Sequence, residues 1–166
     1  MKKICFLAII VVVITAACNP KVQTETVDLN ELNQTITQLA DEYTNAWNAE
    51  DIDVLSELVS DEGLYCGSDP SEQLDKSSLL NMYSELFSDT IIDYSYVIDL
   101  RKIKLSADGN SALVMEHLTI DDWSPKIKMR QTYQFVKTNN DWKIDYISWS
   151  FIVKNDDIMK LNELMD

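Results

Sequence analysis

The chain has 166 residues, and its 28 acidic and 14 basic side chains leave a formal net charge of −14. A charge of this sign and size repels phosphate backbones, so we expect no nucleic-acid partner. The length suits one domain with one hydrophobic core and argues against several domains. His117 is the single histidine, which excludes a metal site built from several histidines, and we expect no metal and no cofactor.

The first 18 residues have the pattern of a bacterial lipoprotein signal. Two lysines precede an apolar run over residues 4–14, and small residues lead to Cys18. The segment from residue 4 to residue 18 has 15 residues, whereas a membrane-spanning helix needs about 20, so cleavage is favoured over a permanent anchor. We expect removal of residues 1–17 and a lipid on Cys18 that holds the protein on a membrane of the bacterial cell envelope; secretion without lipid is the alternative.

In this interpretation residues 18–27 are the lipidated cysteine and a polar tether, because they contain Pro20 and show no hydrophobic periodicity. Cleavage after residue 17 would leave Cys18 and Cys66 as the cysteines of the mature protein. With Cys18 acylated, no intramolecular disulfide can form. We interpret Cys66 as a packed small residue and not as a nucleophile, because no base can be placed beside it from the spacing.

A long amphipathic helix is predicted first. Asp28 is followed three positions later by Glu31, which is typical of a capped helix start. Apolar residues then recur at helical spacing from Leu29 to Trp47, so one face of the helix is expected to be buried.

Two shorter helices follow. One begins at Ile52 and is expected to end near residues 61–63, and a short strand is predicted over residues 64–66. A loop over residues 67–72 precedes Asp75, which is placed to cap the third helix, whose apolar face extends to Phe87.

After residue 90 the hydrophobic period changes from 3.6 to 2, which indicates strands. The first is predicted over residues 94–105, with a bulge near Arg101 and Lys102 and a hairpin turn at residues 108–110. Three more strands and a closing helix are predicted at residues 111–122, 126–138, 142–153 and 156–165.

Helices followed by a long strand meander predict an α+β fold. We expect a strongly bent antiparallel sheet wrapped by three N-terminal helices, followed by a short C-terminal helix. The folded domain is placed at residues 28–153 and the C-terminal helix within residues 154–166.

Four short strings follow one another along the domain. They are Tyr43-x-x-Ala46-Trp47-Asn48-x-x-Asp51, Gly67-Ser68-Asp69-Pro70-x-Glu72, Arg130-x-Thr132, and Asp141-Trp142-Lys143-Ile144 with Trp149-Ser150. In this order and spacing, over residues 29–151, the chain resembles the SnoaL-like branch of the nuclear transport factor 2 superfamily. The resemblance implies a cone-shaped domain with a pocket between sheet and helices, and homodimers that pair the outer sheet faces.

Members of that superfamily include ketosteroid isomerases, dehydratases, polyketide cyclases and binding modules without chemistry, so the fold alone assigns no activity. Relatives often carry histidine at the positions of Tyr146 and Ser148, and the absence of both histidines here argues against catalysis and metal binding. The predicted pocket-lining residues are Tyr43, Trp47, Tyr65, His117, Gln131, Tyr133, Tyr146 and Trp149.

Three residues are the candidates for catalysis: His117, Asp121 and Tyr133. His117 shares strand parity with Leu113 and faces either the pocket or the dimer interface, and its neighbour Glu116 points to the opposite face of the strand. Asp121 could act as a general base at the mouth of the cone, with Tyr43, Tyr65, Tyr133 or Tyr146 as donor to an oxyanion. A structural histidine, a solvated turn and a packed core tyrosine are the alternatives.

The leading hypothesis is an envelope lipoprotein that binds a small apolar molecule or a protein partner in its pocket without catalysis. A lyase or isomerase that uses a pocket carboxylate and tyrosine is one alternative, and a pure dimerisation or interaction domain is the other. The enzyme needs an ionisable group inside an open apolar pocket, the binding module needs only the pocket, and the interaction domain needs neither.

Overall fold

The computed structural model describes residues 27–139 and 141–165, so the predicted signal and Cys18 lie outside the described residues. None of the helices in the described part is long and apolar enough to cross a membrane. The elements are α1 (Leu29–Asn48), α2 (Ile52–Leu58), β1 (Val59–Cys66), β2 (Gln73–Leu74), α3 (Lys76–Phe87), β3 (Val97–Leu105), β4 (Ser111–Thr119), β5 (Met129–Thr138), β6 (Asp141–Phe151), a 3-10 turn (Asn155–Asp157) and α4 (Ile158–Leu164).

Helix α1 begins where the sequence predicts it. The Asp28 carboxylate accepts hydrogen bonds from the backbone N–H groups of Asn30 (2.8 Å) and Glu31 (3.2 Å), which would otherwise lack a partner in the first turn. The apolar stripe packs inward, and its buried members are Ile36, Ala40, Tyr43, Ala46 and Trp47. Asp75 caps α3 in the same way, through the N–H of Ser78.

Replacing Asp28 with alanine is expected to lower the free energy of unfolding by about 1 kcal/mol, because two N–H groups lose their acceptor. Asp28→Asn should change it by only about 0.3 kcal/mol, since asparagine caps a helix about as well. Urea unfolding of both variants measures the difference. An equal loss in the two variants would show that the charge, and not the acceptor, stabilises α1.

The six strands of the described part form one curled sheet in the order β2-β1-β6-β5-β4-β3. Strands β3 to β6 form the predicted antiparallel meander. At the other edge β1 runs parallel to β6, a pairing not predicted from the sequence for this strand, so the antiparallel description holds for β3 to β6 and for the β1–β2 pair. Helix α2 ends at Leu58 and β1 follows at once, earlier than predicted, because its backbone finds hydrogen-bond partners in a strand more than 80 residues later in the chain.

The bulge in β3 lies between Ile98 and Leu100, not at Arg101 and Lys102 as predicted. This register pairs Arg101 with Glu116 and Leu100 with His117 on β4. Side chains of directly opposed residues lie on the same face of a sheet, so Arg101 and Glu116 share one face and His117 lies on the other. The turn at residues 108–110 is confirmed, and Gly109 adopts φ +69°, which favours glycine.

Helices α1, α2 and α3 cover the concave face of the sheet, and this layered α+β arrangement confirms the predicted fold class. The interior is filled largely by aromatic side chains; the wholly buried ones are Tyr43, Tyr65, Tyr83, Tyr133 and Phe135. The convex face carries half-exposed residues such as Leu113, Met115 and His117. The filled interior leaves little room for a ligand at the centre of the cone.

Candidate functional site

A cavity of about 140 Å³ remains beside the aromatic core. We call it the aromatic cavity, and its walls are Trp47, Gly67, Ser68, Glu72, Met82, Leu86, Tyr94, Ile120, Trp123, Met129 and Trp149. These residues come from α1, the loop after β1, α3, the segments that flank β3 and β4, and the ends of β5 and β6. A single water needs about 15 Å³ of such space, so the cavity has room for a small organic molecule.

The aromatic rings of the cavity lie in two pairs. The ring centroids of Trp47 and Trp149 are 4.9 Å apart, and those of Tyr94 and Trp123 are 5.9 Å apart. The Trp47 indole N–H donates a 2.8 Å hydrogen bond to the backbone oxygen of Tyr94, which ties the two pairs together. The Trp149 indole N–H is buried and has no hydrogen-bond partner among the described residues. It lies close to the buried Tyr83 hydroxyl, where it opposes the rise in the pKa of that phenol.

Glu72 is the one charged side chain among the described residues that line the aromatic cavity. Its Oε2 atom accepts a 2.9 Å hydrogen bond from the Asp69 N–H, which holds the carboxylate against its own loop. A Cβ atom at Gly67 would overlap the Glu72 side chain, so this close approach requires glycine.

A network of neutral hydroxyl and amide groups lies in the core of the cone. The hydroxyls of Tyr43 and Tyr83 are 2.8 Å apart, and Gln131 Nε2 donates to the Tyr43 hydroxyl at 3.2 Å. The Tyr96 hydroxyl donates to Gln131 Oε1 at 3.5 Å. Burial raises the pKa of each of these phenols, so all three stay protonated at neutral pH.

Glu116 is a wholly buried carboxylate that sequence reasoning did not single out as a site. Its Oε1 atom accepts hydrogen bonds from Arg101 Nε (2.5 Å) and from the Tyr133 hydroxyl (3.1 Å), and Arg101 also binds Asp41 at 2.5 Å. Burial raises the pKa of Glu116, and the Arg101 charge opposes that rise. Counting residue pairs outward from the turn at residues 108–110 brings Arg101 opposite Glu116, so the sequence could have predicted this pair. The bulge predicted at Arg101 and Lys102 interrupted that count, because the bulge lies between Ile98 and Leu100.

Only two of the predicted pocket-lining residues, Trp47 and Trp149, lie at the wall of the aromatic cavity. Four others are buried in the core away from that wall: Tyr43, Tyr65, Gln131 and Tyr133. Tyr65, for example, donates hydrogen bonds to the backbone oxygens of Ser60 and Ile144.

His117 and Tyr146 do not line the aromatic cavity either, because strand register puts both on the convex face. The sequence left the facing of His117 open between the pocket and the dimer interface, and the register places it on the convex face; Tyr146, expected in the pocket, lies on that face as well. The prediction that Glu116 and His117 point to opposite faces agrees with this register.

The three catalytic candidates do not meet in one site. His117 lies on the convex face beside α4, where it lines a second cavity with Lys126 and Asp157. Tyr133 lies on the concave face and binds Glu116, and Asp121 is exposed in the turn after β4. Among residues 27–139 and 141–165, no group of three histidine, cysteine, aspartate or glutamate side chains is placed to hold a metal ion.

The fold and the cavity define a class of protein, a cone-shaped α+β domain with a small site beside its helices. Sequence comparison matches residues 36–154 to the SnoaL-like domain family, and the chain belongs to that family. This confirms the resemblance seen in its motifs. The chain has no match among curated protein sequences.

Solved structures share the fold. An NTF2-like protein of unknown function from Pseudomonas putida KT2440 is 17% identical, with a TM-score of 0.64 over 76% of this chain and 91% of that one. An uncharacterized cystatin-like protein from Caulobacter vibrioides is also 17% identical, with a TM-score of 0.64 over 82% and 99%. A candidate ketosteroid isomerase from Parabacteroides distasonis ATCC 8503 is 20% identical, with a TM-score of 0.56 over 72% and 86%. At these identities the likeness concerns the fold, not an activity.

Proposed function

We propose that the domain binds a small, mainly apolar molecule in the aromatic cavity and performs no chemistry on it. The observation that carries this proposal is the cavity itself, whose wall is aromatic and aliphatic apart from Ser68 and Glu72. Ligand sites are typically apolar recesses with a few polar groups that orient the ligand. At about 140 Å³ the cavity is small for a steroid-sized substrate, since drug-sized ligands occupy about 300–1,000 Å³.

The buried titratable groups favour binding over catalysis. Glu116 is held by Arg101 and Tyr133, and it does not line the aromatic cavity. A general base needs to lie within hydrogen-bond reach of the proton that it removes. An isomerase that uses Glu116 or Tyr133 would therefore require the core to open.

The setting of the domain is also part of the proposal. A lipid on Cys18 would hold the protein on a membrane of the bacterial cell envelope and keep the cavity near its surface. Pairing of two copies through the convex face would leave the cavity of each copy accessible. Leu100 and Leu113, each 37% exposed on that face, would be covered in such a homodimer.

Methionine methyl groups allow a direct test of binding. Met82 and Met129 line the aromatic cavity, whereas Met115 lies on the convex face and Met159 on α4. We expect 3,3-dimethylbutan-1-ol, a compact apolar alcohol, to shift the ¹³C-methyl NMR signals of Met82 and Met129 saturably, in the millimolar range. The signals of Met115 and Met159 serve as internal controls and should not move.

Leu86→Trp replaces an aliphatic side chain at the cavity wall with a bulky indole ring. It should abolish the shifts of the Met82 and Met129 methyl signals. Leu80→Trp is the matched control on the same helix, because Leu80 does not line the cavity. If the alcohol leaves Met82 and Met129 unchanged in the unmodified protein, or moves all four methionines alike, the proposal of a cavity ligand is wrong.

A further inference from the structure

The aromatic cavity combines many aromatic rings with a single kind of charge. Three of the four tryptophans of the chain line it, together with Tyr94 and the carboxylate of Glu72. Within residues 27–139 and 141–165, no lysine, arginine or histidine lines it. An apolar cavity of this composition differs from a purely hydrophobic one, because the ring faces and the carboxylate all attract positive charge.

Cations bind favourably over aromatic faces when they lie within about 6 Å of the ring centroid, and tryptophan is the strongest partner. Within each pair the two ring planes are tilted, by 40° between Trp47 and Trp149 and by 58° between Tyr94 and Trp123. Both pairs border the same cavity of about 140 Å³. A cation in this space is therefore close to several rings at once. If it carries methyl groups, it also gains from the burial of apolar surface.

The surroundings of the cavity are acidic as well. Asp93 precedes Tyr94 and Asp122 precedes Trp123, and the Asp93 N–H donates a 3.4 Å hydrogen bond to Asp122 Oδ2. Burial and the nearby Asp89 charge raise the pKa of Tyr94. Three of the lysines nearest along the chain, Lys126, Lys128 and Lys154, line the second cavity on the convex side. Lys128 is paired with Asp99 at 2.6 Å, and Lys76, which follows Glu72 and begins α3, is paired with Asp61 at 2.7 Å. The local field therefore favours a cation and disfavours an anion.

We propose that the ligand of the aromatic cavity is a small quaternary ammonium compound, with its charged end among Trp47, Tyr94 and Trp123 and balanced by Glu72. This inference rests on the proposed function, because it names the ligand class of the same cavity. An inorganic cation does not fit the wall, since it would lose its hydration and find only one carboxylate.

Choline and 3,3-dimethylbutan-1-ol form a matched pair of probes, because they have the same shape and differ in the charge of the central atom. We expect both to shift the methyl signals of Met82 and Met129, with choline binding at least about tenfold more tightly. Choline affinity should fall as salt is raised, whereas that of the alcohol should not.

Glu72→Gln removes the charge but keeps an oxygen that can accept the hydrogen bond from the Asp69 N–H. It should weaken the binding of choline about three- to tenfold and leave the binding of the alcohol unchanged. Glu62→Gln is the matched control, because Glu62 is exposed and outside the cavity wall; choline affinity should stay unchanged. Trp123→Leu keeps an apolar wall without the ring, and it should bring the affinity for choline close to that for the alcohol. The unshifted Met115 signal reports that each variant is folded.

The outcomes separate this inference from the proposed function. If the alcohol binds as tightly as choline, the cation inference is overturned and the cavity ligand proposal stands. If choline perturbs the protein without moving Met82 and Met129, it binds the acidic surface only, and the inference is again overturned. If neither compound moves those two signals, both proposals fail.

Discussion

Replacing Arg101 with methionine is expected to lower the free energy of unfolding by about 3–5 kcal/mol near neutral pH. The substitution leaves Glu116, which is wholly buried, without the guanidinium that binds it at 2.5 Å. Removal of one partner from a buried ion pair is strongly destabilising because the other charge stays away from water without compensation. Urea unfolding measured by circular dichroism gives the difference directly.

The loss should depend on pH. Burial already raises the pKa of Glu116 above its ordinary value, and removal of Arg101, which lowers it, would raise it further. Between the ordinary pKa of glutamate and the raised one, the folded state binds more protons than the unfolded state, so stability falls as pH rises. The free energy of unfolding that Arg101→Met loses relative to the unmodified protein should therefore be smaller at about pH 5 than at about pH 8.

Two control variants test whether Glu116 is charged in the core. Lys128→Met breaks the ion pair with Asp99, in which the side chains of Lys128 and Asp99 are 52% and 34% exposed. It should lower the free energy of unfolding by at most about 1 kcal/mol. The double variant Arg101→Met/Glu116→Gln should recover part of the stability and lose the pH dependence, because no buried charge remains. A cost for Arg101→Met no larger than that for Lys128→Met would contradict a charged Glu116 in the core.

Replacing Trp47 with alanine is expected to cost about 3–5 kcal/mol of unfolding free energy. Trp47 is 2% exposed, and its ring contacts the rings of Tyr83, Phe87, Tyr96 and Trp149 at centroid distances of 4.7, 5.1, 5.9 and 4.9 Å. The truncation removes this packing and the donor to the Tyr94 carbonyl, and it enlarges the aromatic cavity. Thermal and urea unfolding measure the loss.

Trp123→Ala is the matched comparison, because Trp123 lines the same cavity but is 39% exposed; it should cost about 1–2 kcal/mol. Trp47→Phe keeps a ring in the core but leaves the Tyr94 carbonyl without its donor, at a cost of about 1–3 kcal/mol. Equal losses for Trp47→Ala and Trp123→Ala would refute the central position of Trp47 in the core. Retained binding of 3,3-dimethylbutan-1-ol by Trp47→Ala would show that the remaining rings suffice for the site.

The helices and the strand meander were predictable because their causes are local. Asp28 and Asp75 cap helices within three residues of chain, and hydrophobic period alone separates α1 from the strands after residue 90. Gly109, in the left-handed conformation, closes the turn that sets the β3–β4 pairing. Each of these signals acts over a few residues, so it can be read without knowledge of the rest of the fold.

The site was predictable only in part. Trp47 and Trp149 lie on strongly patterned elements, and both line the aromatic cavity. Glu72 and Trp123 belong to loop segments, where no period indicates the direction of a side chain. Tyr94 was predicted to begin the first long strand, but that strand begins at Val97, and none of the three residues was predicted as pocket-lining. Tyr146 was expected in the pocket and the facing of His117 was left open, because strand parity does not say which face of a sheet the helices cover.

The amino-acid sequence by itself determined the SnoaL-like family, through four short strings in their order and spacing. It also determined the order of helices and strands, since these follow from local hydrogen bonding and from the spacing of apolar residues. Only the tertiary structure decided that β1 runs parallel to β6, that Arg101 holds Glu116 in the core, and that Glu72, Tyr94 and Trp123 meet around one cavity. These contacts join segments that are far apart along the chain, and which of them form depends on how the whole core packs.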